Sequence, residues 1–208
     1  YRPAANAAPL KETLAAALCS LAHLRHYHTL YDPMCGSGTI IIEGALMALN
    51  IAPGIQRRFT AETWSQCPPE VWRKERTAAR ENMRHDIEFH AYGSDIDEAA
   101  LEIARENAKR AGVENYVTFK KADVRDFKPV TEKATVICNP PYGERLLDAE
   151  SAHEIYKILG KRFTPQKGRS YEIITADEEF EKMFGRKADK RRKLYNGMIK
   201  CQVYMYFK

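Results

Sequence analysis

Four short stretches of this 208-residue chain carry residue types that could do chemistry, and Asn139-Pro140-Pro141-Tyr142 is the most telling of them. It follows the apolar run Ala134-Thr135-Val136-Ile137-Cys138. A strand that stops in two prolines cannot continue its hydrogen-bond ladder, because neither proline has an N–H to give. The residue before each proline is also steered out of the helical region. The backbone therefore leaves the sheet in a stiff, extended turn that presents one amide side chain, carbonyls with free acceptor capacity and an aromatic ring. Acceptors for two amine protons beside a ring suit a planar base that carries an exocyclic amine. A rigid loop with a buried tyrosine is the structural alternative that the motif alone leaves open.

The other three stretches end predicted strands. Asp32-Pro33-Met34-Cys35-Gly36-Ser37-Gly38-Thr39 is a glycine turn that opens onto a helix N-terminus, where a ligand can come close to the backbone. It is no Walker loop, since Thr39-Ile40 follows Gly38 where a lysine would be needed. It is no complete dinucleotide fingerprint either, because Ile41 stands where the third glycine would fall. Gly93-Ser94-Asp95-Ile96-Asp97 places a carboxylate where it could accept from both hydroxyls of a ribose, while Asp97 suits a helix cap. Asp123 could accept from an adenine amino group, with the Val124 N–H near the ring. Each acidic residue alone fits a loop or cap. Three such turns on adjacent strand ends point to one cofactor site, because ligands bind at that edge of open α/β sheets.

Strands alternating with helices must position these turns, which predicts a mostly parallel sheet. A helix is expected over 9–24, with Leu10, Leu14, Leu18 and Leu21 on one stripe. A first strand over 29–32 leads into a helix over 39–50, apolar nearly all round and hence buried. Residues 52–88 break the rhythm as an insertion with a charged helix opened by Pro68 and Pro69. Strands then follow at 89–96, 116–121, 134–138 and 171–175, with helices at 98–111, about 150–163 and 177–184. Asn196-Gly197 between β-type runs predicts a closing hairpin.

Composition bounds the rest. The length suits one domain, and no apolar stretch approaches a membrane span. The five cysteines are scattered, without a C-x-x-C pair, which speaks against disulfides or a zinc site and for a reducing cytoplasm. Cys35 and Cys138, inside the two strongest motifs, suit small packing residues better than nucleophiles. No metal site is expected. The net charge of +5 is uneven, with roughly +7 on residues 151–208. The densest run, Arg186 to Lys193, is either a solvated surface turn or a phosphate-backbone contact. The chain starts at Tyr1 without a methionine, and a piece of a longer protein is expected.

D-P-x-C-G-S-G-T, G-S-D-I-D, A-D and N-P-P-Y, in that order, resemble the class I S-adenosylmethionine-dependent methyltransferases that act on exocyclic amines. The opening Tyr1-Arg2, the run Ala8 to Ala16, and Ala52-Pro53-Gly54 before a tryptophan-bearing insertion resemble more closely one bacterial group. These are the THUMP-domain 23S rRNA guanine-N(2)-methyltransferases of the RlmL/YpsC type, often described as adenine-specific DNA methylases. The resemblance covers nearly the whole chain. It implies a Rossmann-like class I methyltransferase, an α/β fold with a mostly parallel, doubly wound sheet closed by a C-terminal antiparallel hairpin. One catalytic domain over 1–208 is implied, and the group's upstream THUMP domain has no counterpart in these residues.

The resemblance further implies S-adenosyl-L-methionine as cofactor. Asp32, Cys35, Gly36, Ser37, Gly38 and Thr39 would seat its methionine end, Asp95 and Ile96 its ribose, and Asp123 and Val124 its adenine, with Pro9 and Thr13 lining the pocket. Asn139, Pro140 and Tyr142 would hold the target base, and Asn139 would also border the cofactor. RNA is the implied partner. Methylation of adenine in DNA, or a non-catalytic nucleic-acid-binding module, remain alternatives. A nicotinamide-dependent oxidoreductase is disfavoured by the missing third glycine.

Overall fold

The computed structural model describes residue 1 and residues 10–142 and 149–207. Its core is a seven-stranded sheet made of β1 (Thr29–Asp32), β2 (Ala91–Asp95), β3 (Val117–Lys121), β4 (Ala134–Cys138), β5 (Arg169–Thr175), β6 (Lys190–Asn196) and β7 (Ile199–Tyr206). The strand order is β3-β2-β1-β4-β5-β7-β6. The first five strands run parallel, and β7 pairs antiparallel with both β5 and β6. The expected parallel sheet with its closing hairpin is thus the architecture found.

Helices cover both faces. Residues of α1 (Glu12–Leu21), α2 (Thr39–Ala48) and α4 (Glu98–Ala111) join one apolar cluster with Leu30, Ala91 and Ile137 of the sheet. Residues of α5 (Ala149–Arg162) and α6 (Phe180–Phe184) form the other with Val136, Ile173 and Tyr204. Every residue of β4 is buried, as a central strand covered on both faces requires. The helix α2 is buried along nearly its whole surface, Met47 being the exposed residue. Asp97 caps α4 by accepting from the Ala99 N–H, and Gly112 ends it at φ 73°.

Several boundaries differ from expectation. The opening helix starts at Glu12 and not Pro9, which lies outside the described residues. The basic run, read as either a solvated surface turn or a phosphate-backbone contact, is strand β6 from Lys190 onward. The hairpin loop is Gly197-Met198, one residue later than the predicted Asn-Gly pair, because Asn196 still pairs with Ile199. Gly197 takes the positive φ, 65°, that a two-residue loop needs at its first position.

The insertion holds α3 (Pro69–Glu81) and a short 3-10 turn at Thr60–Thr63. Phe59 stacks on Trp72 at 5.6 Å, and Arg76 donates to the Ile55 and Arg57 carbonyls and to Glu62. It joins the end of α2 to the start of β2, and therefore sits at the sheet edge opposite the C-terminal ends of the parallel strands.

Candidate functional site

The four predicted motifs end four adjacent strands, β3, β2, β1 and β4, and meet at one edge of the sheet. The chain runs outward from β1 through β2 to β3, then returns to the other side of β1 for β4. This is a topological switch point, where the crevice of an open α/β sheet lies.

The central turn is built from its backbone. Gly36 and Gly38 adopt φ 50° and 79°, open to them for want of a Cβ. A Cβ on Gly38 would stand 2.8 Å from the Phe119 ring, and one on Gly93 2.7 Å from the same ring and 2.9 Å from the Cys35 sulfur. Phe119 of β3 thus packs under both motifs, which ties the first turn to the second. The Cys35 N–H donates to the Ser94 carbonyl at 2.9 Å, and the Gly36 N–H donates to Asp95 Oδ2 at 2.9 Å. From α4, Asn107 donates to the Ser37 carbonyl at 3.2 Å. Ser37 and Thr39 are buried, with their hydroxyls 3.5 Å apart. No side chain caps α2, so its first-turn N–H groups face the crevice edge.

The acidic residues differ in what surrounds them. Asp95 accepts from the Gly36 and Asp97 N–H groups, one on each oxygen, and each oxygen keeps a second lone pair. Asp123 accepts from the backbone and guanidinium of Arg125, which hold its carboxyl down at about 2. Val124 beside it is buried. Asp32 is 2% exposed, and burial pushes its carboxyl up to about 8 against the pull of the Met34 N–H. Burial likewise holds the Cys35 and Cys138 thiols well above their ordinary value, so neither is a thiolate nucleophile. Ile96 is 64% exposed at the rim, and Thr13 is exposed on α1.

The Asn139-Pro140-Pro141-Tyr142 turn is gripped from both faces of the sheet. Tyr156 of α5, bound to Thr175 Oγ1 at 3.0 Å, reaches the Pro141 carbonyl at 3.4 Å. On the other face, Asn196 Nδ2 donates to the Tyr142 hydroxyl at 3.0 Å, with Cys201 Sγ 3.6 Å from the same oxygen. Burial raises the Tyr142 phenol, which stays protonated. Asn139 Oδ1 is buried and has no hydrogen-bond partner among the described residues. A buried acceptor without a donor costs free energy unless something else supplies one.

Sequence reasoning placed the motifs but missed their supports. Tyr156, Asn107 and Asn196 are ordinary helix or hairpin residues in one dimension, and only the packed sheet brings them to the turns. A groove of about 780 Å³ lined by Arg57, Arg58, Arg80 and His85 belongs to the insertion, away from this edge.

Comparison with known proteins agrees with this geometry. Residues 1–205 match the model of the UPF0020 family, described as RMKL-like, methyltransferase domain. The chain is 42% identical over 207 residues to a Bacillus subtilis protein named "Putative RNA methyltransferase YpsC", covering 100% of the chain and 54% of that protein. It is 40% identical over 208 residues to ribosomal RNA large subunit methyltransferase K/L of Aliivibrio salmonicida, covering 97% of the chain and 30% of that protein. The crystal structure of SMU.472, described as "a putative methyltransferase complexed with SAH", superposes with a TM-score of 0.92 at 42% identity. That likeness covers 96% of this chain and 53% of SMU.472. The chain thus spans about half the length of these relatives or less.

Proposed function

The chain belongs to the RMKL-like methyltransferase domain family, and from that premise we propose that it methylates the 2-amino group of a guanine in 23S ribosomal RNA. The methyl donor of the family is S-adenosyl-L-methionine, and SMU.472 holds its product form, SAH. The donors and acceptors at the strand ends fit this molecule. The N-terminus of α2 suits a carboxylate, Asp95 keeps acceptor capacity for ribose hydroxyls, and the Val124 N–H lies beside Asp123 for a base. S-adenosyl-L-methionine supplies, when bound, an electrophilic methyl group on a sulfonium.

The observation that carries the proposal is the unpartnered Asn139 Oδ1, a buried acceptor at the end of β4 beside the switch point. An exocyclic amine is a poor nucleophile because its lone pair is delocalised into the ring. Asn139 Oδ1 and the Pro140 carbonyl accept hydrogen bonds from its two N–H groups and draw the nitrogen toward tetrahedral geometry, which frees the lone pair. The two prolines and the Tyr156 and Asn196 contacts hold these acceptors in place before the base arrives. Tyr142 stacks on the base, which has to leave any helix to reach the turn. The proton departs after transfer, so no strong general base is needed.

RNA as substrate is supported by the names of YpsC and the K/L enzyme and by the positive C-terminal segment. The test is to incubate the protein with undermethylated 23S rRNA and isotopically labelled S-adenosyl-L-methionine, then digest to nucleosides and analyse by mass spectrometry. Label in 2-methylguanosine is expected. Label confined to N6-methyladenosine of a DNA substrate would overturn the assignment.

A further inference from the structure

We propose that the tip of the β6–β7 hairpin is a shelf for the RNA nucleotide adjacent to the target base, an inference that rests on the functional reading above. The tip lies at the same edge as Asn139. In the antiparallel pairing of β7 with β5, Gln202 stands opposite Thr175, the last residue of β5, so 196–199 extend beyond that strand's C-terminal end. The tip is also tied to the target-base turn through the Asn196–Tyr142 hydrogen bond.

Its exposed side chains are the wrong kind for an idle hairpin. Tyr195 is 56% and Met198 97% exposed. Strand β6 is the sheet's edge and exposes Lys190, Arg191, Arg192 and Lys193. Cations along an edge strand discourage pairing with other chains, and Arg191 is already taken by Glu181. That explanation covers the charges but not the tip. An edge guarded against association gains nothing from an aromatic ring and a thioether left in water at its end.

Single-stranded RNA accounts for both. Its bases offer π-faces to a tyrosine and a polarizable sulfur, and its phosphates need cations at the spacing of a nucleotide. Lys193 Nζ lies 6.0 Å from the centre of the Tyr195 ring, and Lys200, the cross-strand partner of Tyr195, has its Nζ 3.8 Å from Glu178 Oε1 at the exposed rim. A base on Tyr195 would keep its phosphate within reach of these amines while the neighbouring base enters the Asn139 turn. The hairpin then serves twice, fixing Tyr142 through Asn196 on one face of β6 and holding the strand through Tyr195 on the other.

The test pairs a Tyr195→Ala/Met198→Ala double variant with Lys193→Ala, leaving Asn196 and Gly197 untouched. Binding of a fluorescein-labelled, unstructured RNA of about a dozen nucleotides is read by anisotropy across a salt series. Cofactor affinity is read by calorimetry, and methylation of 23S rRNA by label incorporation. The double variant should weaken RNA binding about tenfold and raise KM for rRNA, with cofactor affinity unchanged. Lys193→Ala should lower the slope of log affinity against log salt by about 0.7. If the wild type labels rRNA and the double variant binds and labels equally well, the shelf is overturned and the function stands. If binding is unchanged but the variant shifts from dimer to monomer, the tip belongs to a second copy and the inference falls. A wild type that labels no rRNA overturns the functional reading and this one with it.

Discussion

Replacing Asn139 with alanine separates a catalytic acceptor from a structural one, because the two roles predict opposite effects on stability. Asn139 Oδ1 is buried and makes no hydrogen bond among the described residues. Leaving such an oxygen unsatisfied costs the folded protein about 1–3 kcal/mol. Alanine removes that cost and gives up the packing of a short side chain, worth about 1 kcal/mol. The net change is expected between zero and about 2 kcal/mol of added stability. For activity the same oxygen is a preorganised partner for the amine, and removing one such group costs about 2.7–4 kcal/mol of the barrier, or 100- to 1,000-fold in kcat. Urea denaturation and single-turnover methylation, run on one preparation of each protein, read both quantities. Calorimetric titration with S-adenosyl-L-methionine should show little change in cofactor affinity. A variant that loses activity only in proportion to lost stability, or that turns over near the native rate, would refute the reasoning.

Three further outcomes follow from the geometry. Glu172 on β5 is 1% exposed with both oxygens unpartnered, and burial pushes its carboxyl from 4.5 up to about 8. The folded state then binds the proton more tightly than the unfolded chain, so Glu172 lowers stability progressively as pH rises from about 4.5 to about 8. Glu172→Gln should therefore gain about 3 kcal/mol more over the wild type at pH 7.5 than at pH 5; equal gains in urea melts at both pH values would contradict this. Asp95→Ala removes the acceptor that anchors the Gly36 N–H, and should weaken cofactor binding at least about tenfold by calorimetry. Gly93→Ala drives a methyl group into Phe119 and Cys35 and should cost about 1–3 kcal/mol, seen as a lowered Tm.

Much of this was legible in one dimension because the signals were local. The first strand and the apolar run of β4 are each closed by turn residues, and both lie at the expected residues. The caps of α4 at Asp97 and Gly112 depend only on neighbouring N–H and C=O groups, and they too were readable. Gathering the four motifs at one edge followed from strand alternation and the rule for parallel crossovers. What could not be read depended on register or on distant packing. The hairpin loop falls one residue later than the Asn-Gly pair because Asn196 still pairs with Ile199, and the charge of Lys190–Lys193 masks the strand character of the rest of β6. That slip leaves Asn196 on the ladder with its side chain turned to Tyr142. The upward push on the Asp32 carboxyl was equally hidden, since burial at the centre of a sheet is a property of the whole fold.

The insertion between α2 and β2 makes its stacking and arginine contacts within itself, and α3 contributes no residue to the core. Its stems are held together by short bonds, the Arg84 N–H to the Leu49 carbonyl and the Asn50 amide to the Asn82 carbonyl. A segment closed at its base in this way can be shortened, exchanged or fused to a reporter without disturbing the strands on either side. It is the position at which a fluorophore or an affinity handle can be grafted while the opposite edge of the sheet is left to its chemistry.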